Sequence, residues 1–253
     1  MILAAGKGTR LRPITEATPK ILVPVLDLPL LERLVAYLAG SGVSALAMNT
    51  HYLAEQAAAH AVALRESHPE WPAIQLFHEP ELLGTGGGVA NVAHFWGDNP
   101  LLVWNGDVVA ELDLVELYGK HRSGQGLATL AVQERETASR LLVDEEGYLC
   151  GIDSQRRKDK RVLRAAEGAM RSMAFNGVSV LSASLRAKIA RPGPFDLIDA
   201  LLEVVEAGGA VRTCDVEGNF WGTTGSPDRL TALERELRAR PALLARWTPG
   251  KAP

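Results

Sequence analysis

The stretch Met1-Ile2-Leu3-Ala4-Ala5-Gly6-Lys7-Gly8-Thr9-Arg10-Leu11-Arg12-Pro13 decides the fold. Its apolar half, Met1 to Ala5, stops at Gly6 and reads as a short buried strand feeding a glycine loop. Outward from it, Pro13, Pro19, Pro24 and Pro29 keep the next segment extended or looped. Leu30, Leu31, Leu34, Val35 and Leu38 then recur at helical spacing, and Gly40 and Gly42 stop that helix. Ala45 to Asn49 reads as a second strand, and Leu53, Ala57, Ala61 and Leu64 lay a second helix against it. Ile74 to Phe77 is a third strand, Glu79 to Gly88 a loop, Val89 to Trp96 a short helix and Leu101 to Trp104 a fourth strand. Strand and helix alternate through residues 1–110. That pattern predicts a parallel sheet with helices on both faces, a three-layer α/β/α arrangement.

The later part is less regular. Leu127 to Gln133, Arg140 to Val143, Ala174 to Leu181 and Ala210 to Val216 read as strands, Phe195 to Glu206 as a helix. Hairpins among these make the expected sheet mixed, though mostly parallel. Ser154 to Arg164 is densely charged and reads as a solvated loop. Leu230, Leu233 and Leu237 among Arg and Glu make an amphipathic helix. The expectation is one domain over residues 1–240, followed by a loose tail over 241–253.

Composition narrows the function. The chain has 253 residues, with 27 Lys and Arg against 30 Asp and Glu, a net charge of −3. General nucleic-acid binding rests on neutralising many phosphates, so that class is set aside. A small anion held by a few local cations remains open. Cys150 and Cys214 are too few for a disulfide framework, and two inert thiols are expected. No run of about 18 uncharged apolar residues occurs, so no membrane span is expected. The first residues are too short an apolar run for a signal-peptide core. These readings point to a soluble protein of the cytoplasm.

Three features carry chemistry. The first is the loop after the opening strand, with Gly6 and Gly8 among Lys7, Arg10 and Arg12, and Pro19-Lys20 shortly after. Glycines let backbone N–H groups approach a phosphate, and three close cations repel unless an anion joins them. A Walker loop is excluded because Lys7 precedes the second glycine. The dinucleotide fingerprint is excluded because Leu11 stands where its third glycine belongs. The second feature is Asn105-Gly106-Asp107 after a buried strand, at the sheet edge where open α/β folds bind ligands. Asp107 beside a triphosphate makes sense with Mg²⁺ between them. A turn aspartate capping the next helix reads equally well. The third feature is Leu83-Gly84-Thr85-Gly86-Gly87-Gly88. Thr85 reads as the N-cap, and the glycines suggest a ligand plane or phosphate pressed on backbone. The six histidines show no metal-ligand spacing, and no nucleophile elbow occurs.

At these residues the chain resembles the sugar-1-phosphate nucleotidyltransferases. Leu3 to Pro13 with Pro19-Lys20 matches that family's opening motif, and the Leu83 to Gly88 run and Asn105-Gly106-Asp107 match as well. Phe175-Asn176-Gly177-Val178 and Trp221 through Gly225-Ser226-Pro227 are similar to later motifs. Asn49-Thr50-His51-Tyr52-Leu53 looks most like the short branch, which holds N-acetylmuramate-1-phosphate uridylyltransferases, with mannose-1-phosphate guanylyltransferases close by. The resemblance implies a Rossmann-like fold of the nucleotide-diphospho-sugar transferase type. It implies that a sugar phosphate attacks the α-phosphate of an NTP, UTP or GTP, giving an NDP-sugar and pyrophosphate with Mg²⁺ as cofactor. Carried over by position, Arg10, Lys20 and Asp107 are catalytic, and Asp107 holds the metal. Leu3, Ala4, Ala5, Gly6, Gly8, Thr9, Arg10, Gly84, Thr85, Gly86, Asn105 and Gly106 bind the nucleotide. Asn176 and Gly177 bind the sugar.

Two departures stand out. Aligning the closing motif puts Thr223 where relatives carry a second metal-binding Asp. The Glu-Lys-Pro element used on the sugar phosphate is absent, with Arg140, Lys158, Lys160 and Arg164 as possible substitutes. Thr223 motivates an alternative, a non-catalytic member that binds nucleotide or sugar phosphate. Uracil and guanine branches share the glycine loop, and Glu79 or Glu81 offers an acceptor for guanine.

Overall fold

The computed structural model describes residues 1–250, and these divide into two compact units. Unit one comprises Met1–Leu82, Asn105–Glu111 and the chain from Phe220 on; unit two comprises Leu83–Trp104 and Leu112–Asn219.

In unit one the strands Ile2–Leu3, Leu46–Thr50 and Ile74–His78 pair in parallel, in that order. All five residues of Leu46–Thr50 are buried, as expected of a strand covered on both faces. The helix Leu30–Gly40 buries Leu30, Leu31, Leu34, Val35 and Leu38, the helical-period positions of the sequence. The helix Ala54–Ser67 buries Ala57, Ala61 and Leu64. The register sets Leu3 opposite Asn49 and Asn49 opposite Phe77. Ala4, Thr50 and Glu79 therefore leave or end their strands at one edge. Val108–Ala110 pairs antiparallel with Trp221–Thr223, and the helix Pro227–Ala239 follows.

Residues 241–250 are not a loose tail. Pro241–Arg246 is a helix, and Trp247 is fully buried, stacked 4.5 Å from Tyr37. The buried Arg33 guanidinium donates to the carbonyls of Val25 (2.8 Å) and Trp247 (3.1 Å) and to Asp27 Oδ1 (2.6 Å). The last three residues of the expected tail lie outside the described residues.

In unit two the long strand Arg171–Leu181 pairs antiparallel with Leu101 to Trp104, with Ala128–Gln133 and with Ser139–Val143. Val211–Asp215 adds a parallel neighbour to Ala128–Gln133. Both units thus carry the strands and helices of a mixed α/β sheet. The charged segment read as a solvated loop contains a strand, Asp159–Val162, paired antiparallel with Leu149–Ser154. Arg161 there forms an ion pair with Asp159 at 2.9 Å, and Arg157 grips Asp199 with two bonds of 2.6 and 2.8 Å. Among the described residues, no helix is long and apolar enough to cross a membrane.

Candidate active site

The glycine loop of unit one is fixed by its own short-range bonds. Gly8 lies in the left-handed region at φ 64°, and its carbonyl accepts from Thr15 Oγ1 and the Leu11 amide, both at 2.8 Å. A Cβ on Gly8 would lie 2.9 Å from the Thr15 methyl and 3.1 Å from Lys20 Cβ. Conformation and crowding both demand glycine here. A Cβ on Gly6 would meet nothing within 4 Å, so protein packing does not require that glycine. Thr9–Leu11 forms one 3₁₀ turn that buries Leu11 and leaves Thr9 and Arg10 exposed. Lys7, Arg10 and Arg12 are all exposed, and none has a carboxylate partner among the described residues. Three cations without counter-charge on a glycine loop make a site for an anion.

Asp107 stands beside this loop. Gly106 donates to the Leu3 carbonyl at 2.9 Å, and a Cβ on Gly106 would lie 2.8 Å from that same oxygen. That close approach brings Asp107 to Lys20, whose ammonium donates to Asp107 Oδ2 in an ion pair. The Thr224 amide donates to the Asp107 carbonyl at 2.9 Å, and Thr223 lies opposite Val108. A Cβ on Gly225 would sit 3.4 Å from Thr223 Oγ1 and 3.6 Å from an Arg10 guanidinium nitrogen. Leu3, Ala4, Ala5, Gly6, Gly8, Thr9, Arg10, Lys20, Asn105, Gly106 and Asp107 thus all belong to unit one.

Asp107 supplies a carboxylate already shared with Lys20, and Thr223 supplies a hydroxyl. No group of three His, Cys, Asp or Glu able to hold a metal occurs among the described residues. These residues cannot cage a metal alone, but they fit a Mg²⁺ that takes most of its oxygens from phosphates.

The glycine run in unit two has a packing reason. The helix Gly84–Asn91 begins at the first glycine, not at Val89. The Gly86 amide donates to the Phe195 carbonyl at 3.0 Å, and a Cβ on Gly86 would overlap the Phe195 ring. A Cβ on Gly84 would lie 2.5 Å from the Phe195 carbonyl oxygen. Phe195 therefore accounts for these glycines, and their identity says nothing further about a ligand. Thr85 does not cap its own helix. Its hydroxyl donates to Asp196 Oδ2 at 3.1 Å and accepts from the Leu197 amide at 2.8 Å, at the start of the helix Leu197–Glu206.

Asn176 and Gly177 occupy a bulge. Phe175 lies opposite Val132 but Ser179 opposite Leu130, so the longer strand carries extra residues between them. Gly177 takes φ 81° there, and Asn176 Nδ2 donates to Gln133 Oε1 at 2.8 Å. Of the four cations considered for the sugar phosphate, Arg164 lies over the Tyr148 ring at 4.1 Å.

Sequence reasoning passed over one set of bonds in unit one. The Ala4 amide donates to Asn49 Oδ1 at 2.7 Å, and Asn49 Nδ2 donates to Glu79 Oε1 at 2.7 Å. Glu79 is fully buried, which bears on its expected role as a guanine acceptor. A buried polar residue at the end of an apolar strand was the available signal.

A family model described as nucleotidyl transferase matches residues 1–144, more than half of the chain. Mannose-1-phosphate guanylyltransferase of Mycobacterium tuberculosis is 37% identical over 135 residues, 51% of this chain. The match spans only 35% of that relative's length. N-acetylmuramate alpha-1-phosphate uridylyltransferase of Caulobacter vibrioides is 29% identical over 243 residues, 94% of this chain and 96% of that one. A solved UDP-glucose pyrophosphorylase from Acinetobacter baumanii shares the fold at a TM-score of 0.75 and 19% identity, covering 96% of this chain and 94% of that one. With its cationic glycine loop inside the matched region, the chain belongs to the nucleotidyl transferase family.

Proposed function

We propose that this chain transfers a nucleoside monophosphate from an NTP to a sugar-1-phosphate, releasing pyrophosphate. The observation that carries this reading is the glycine loop with its unpaired cations beside the Lys20–Asp107 pair. Gly6 strengthens it, because that glycine has no packing reason and leaves its side open to a ligand. The relatives named above act on sugar-1-phosphates, one as a guanylyl- and one as a uridylyltransferase, so GTP and UTP are the donors proposed.

A phosphate oxygen of the sugar-1-phosphate attacks the α-phosphorus in line. The bond from the α-phosphorus to the bridging oxygen breaks, and pyrophosphate leaves with the electron pair. Arg10 and Lys20 hold the triphosphate and meet the charge that grows on the leaving group. Such catalysis is mostly positioning and charge stabilisation. Asp107 would hold Mg²⁺, which supplies further charge neutralisation at the phosphates. Gly84, Thr85 and Gly86 are assigned to the base, and Asn176 and Gly177 to the sugar, by family position. Arg140, Lys158 and Lys160 are the substitutes proposed on the sugar phosphate, since stacking on Tyr148 occupies Arg164. Two buried free thiols fit a reducing compartment such as the cytoplasm.

A second reading rests on Thr223. With a hydroxyl where relatives carry an acid, the chain would bind nucleotide or sugar phosphate without turnover. One experiment separates the two. Four NTPs are tested against several sugar-1-phosphates with Mg²⁺, and pyrophosphate release is measured beside nucleotide binding. Release with one pair supports the transferase. Binding without release with any pair supports the second reading, and no binding refutes both.

A further inference from the structure

We propose that Asn49 and Glu79 are positioning residues for the nucleotide, acting through the backbone at Ala4. The proposal rests on the nucleotide reading of the glycine loop given above. Three strand ends meet here. Register places Leu3, Asn49 and Phe77 in line across the parallel strands, so Ala4, Asn49 and Glu79 sit at one edge. Asn49 Oδ1 accepts from the Ala4 amide, and Asn49 Nδ2 donates to Glu79 Oε1, both at 2.7 Å. Glu79 is fixed in turn. Its amide donates to the Thr50 carbonyl at 2.8 Å, and its carbonyl lies 2.8 Å from His51 Nδ1.

A side-chain amide has a donor face and an acceptor face, and its neighbours decide which way each points. The Glu79 carboxylate oxygen takes the NH₂ side of Asn49, so the oxygen side must face Ala4. Burying a carboxylate is costly unless it is bonded, and Glu79 and Asn49 are 0% and 2% exposed. What that burial secures is the last fixed point before Gly6. The Leu3 carbonyl is held by Gly106 and the Ala4 amide by Asn49. The loop thus starts from a clamped peptide, and the clamp lies outside the loop. A preorganised loop binds more tightly because less ordering remains to be done.

The test exchanges the roles in the relay. In Asn49→Asp the oxygen facing Ala4 remains, but a second carboxylate now opposes Glu79. Adding Glu79→Gln restores a donor, so the double variant bonds as the native pair does, with donor and acceptor swapped. Dissociation constants for the tightest of ATP, CTP, GTP and UTP are measured by calorimetry with Mg²⁺, beside Tm and hydrogen exchange of the Ala4 amide. Asn49→Leu, which loses both bonds, is expected to weaken nucleotide binding about 3- to 10-fold and to speed Ala4 exchange, the scale of one hydrogen bond. Asn49→Asp should weaken it similarly, and the double variant should return to within about twofold of the native protein. A merely structural pair would lower Tm without moving the dissociation constant measured well below Tm. Folded Asn49→Leu with native affinity overturns the proposal, whether or not Ala4 exchange is faster. If Asn49→Leu does not fold, a double variant no tighter than Asn49→Asp overturns it. Should the native protein bind none of the four nucleotides, the nucleotide reading itself fails and the proposal goes with it.

Discussion

Replacing Lys20 by Met separates the chemical role of the site from its structural one. Methionine keeps the apolar stem, whose Cβ lies 3.1 Å from where a Gly8 Cβ would be, and removes only the ammonium. The side chains of Lys20 and Asp107 are 17% and 25% exposed, so the pair is neither solvated nor sealed. Exposed pairs contribute about 0–1 kcal/mol, while breaking a sealed pair costs about 3–5 kcal/mol. A partly shielded pair falls at the lower end, about 1–2 kcal/mol, with Asp107 left open to water on one side. For a chain of this length that is a Tm loss of roughly 2–8 °C. Turnover should fall far more. Removing one group that meets charge in the transition state lowers kcat/KM by about 10²–10³. Thermal unfolding followed by circular dichroism and pyrophosphate release on the same preparation give both numbers. A folded Lys20→Met protein within about threefold of native kcat/KM would show that Lys20 only neutralises Asp107, and the catalytic assignment would fall.

Three further outcomes are expected. Trp247→Ala removes a fully buried ring stacked on Tyr37 and should cost about 3–5 kcal/mol, seen as a fall in denaturant midpoint without a change in slope; a loss below about 1 kcal/mol would mean that residues 241–250 do not pack as described. Burial holds the His121 imidazole below its ordinary pKa of 6.5, between Thr129 Oγ1 and Ser182 Oγ at 3.0 Å each. The unfolded chain binds that proton more readily, so stability should be full above pH 6.5 and fall as the pH drops below it; a His121→Gln variant with an unchanged fall toward acid pH would exclude this histidine as the cause. Gly86→Ala should destabilise the protein by about 1–3 kcal/mol through overlap with Phe195, and Phe195→Leu should make the second change cheaper; equal costs in both backgrounds would return the glycine to a ligand role.

The alternation of residues 1–110 was legible because apolar spacing there reports burial directly. The glycine loop was legible because an apolar run stops at Gly6, whereas Asp107 read equally well as a capping aspartate and Lys20 took its role from the resemblance. Misreadings came where the partner was distant or the pattern inverted. Thr85 looked like a cap for its own helix, yet its hydroxyl accepts from the Leu197 amide, 112 residues later, at the start of another helix. The packing reason for the glycine run was hidden because Phe195, which fills the space, is remote in sequence. Asp159–Val162 hid as a strand because its less exposed positions, Asp159 and Arg161, are charged and form an ion pair, while Val162 faces out. Hydrophobic alternation has the wrong phase there. Trp247 was passed over because the apolar run before it, Ala242 to Ala245, is too short to show a period.

Arg33 sets a condition on how unit one can be made. Its guanidinium finds Val25 and Asp27 within a few residues, but the Trp247 carbonyl is 214 residues ahead. During synthesis from the N-terminus, the parallel strands up to His78 can pair while that acceptor does not yet exist. Until it arrives, the cation must stay hydrated and the helix Leu30–Gly40 cannot seal completely. A cut before Trp247 would remove that acceptor and leave the buried guanidinium with one carbonyl partner fewer beneath the helix. Closure of the core around Arg33 thus waits on a segment 214 residues further along the chain than the helix that carries it.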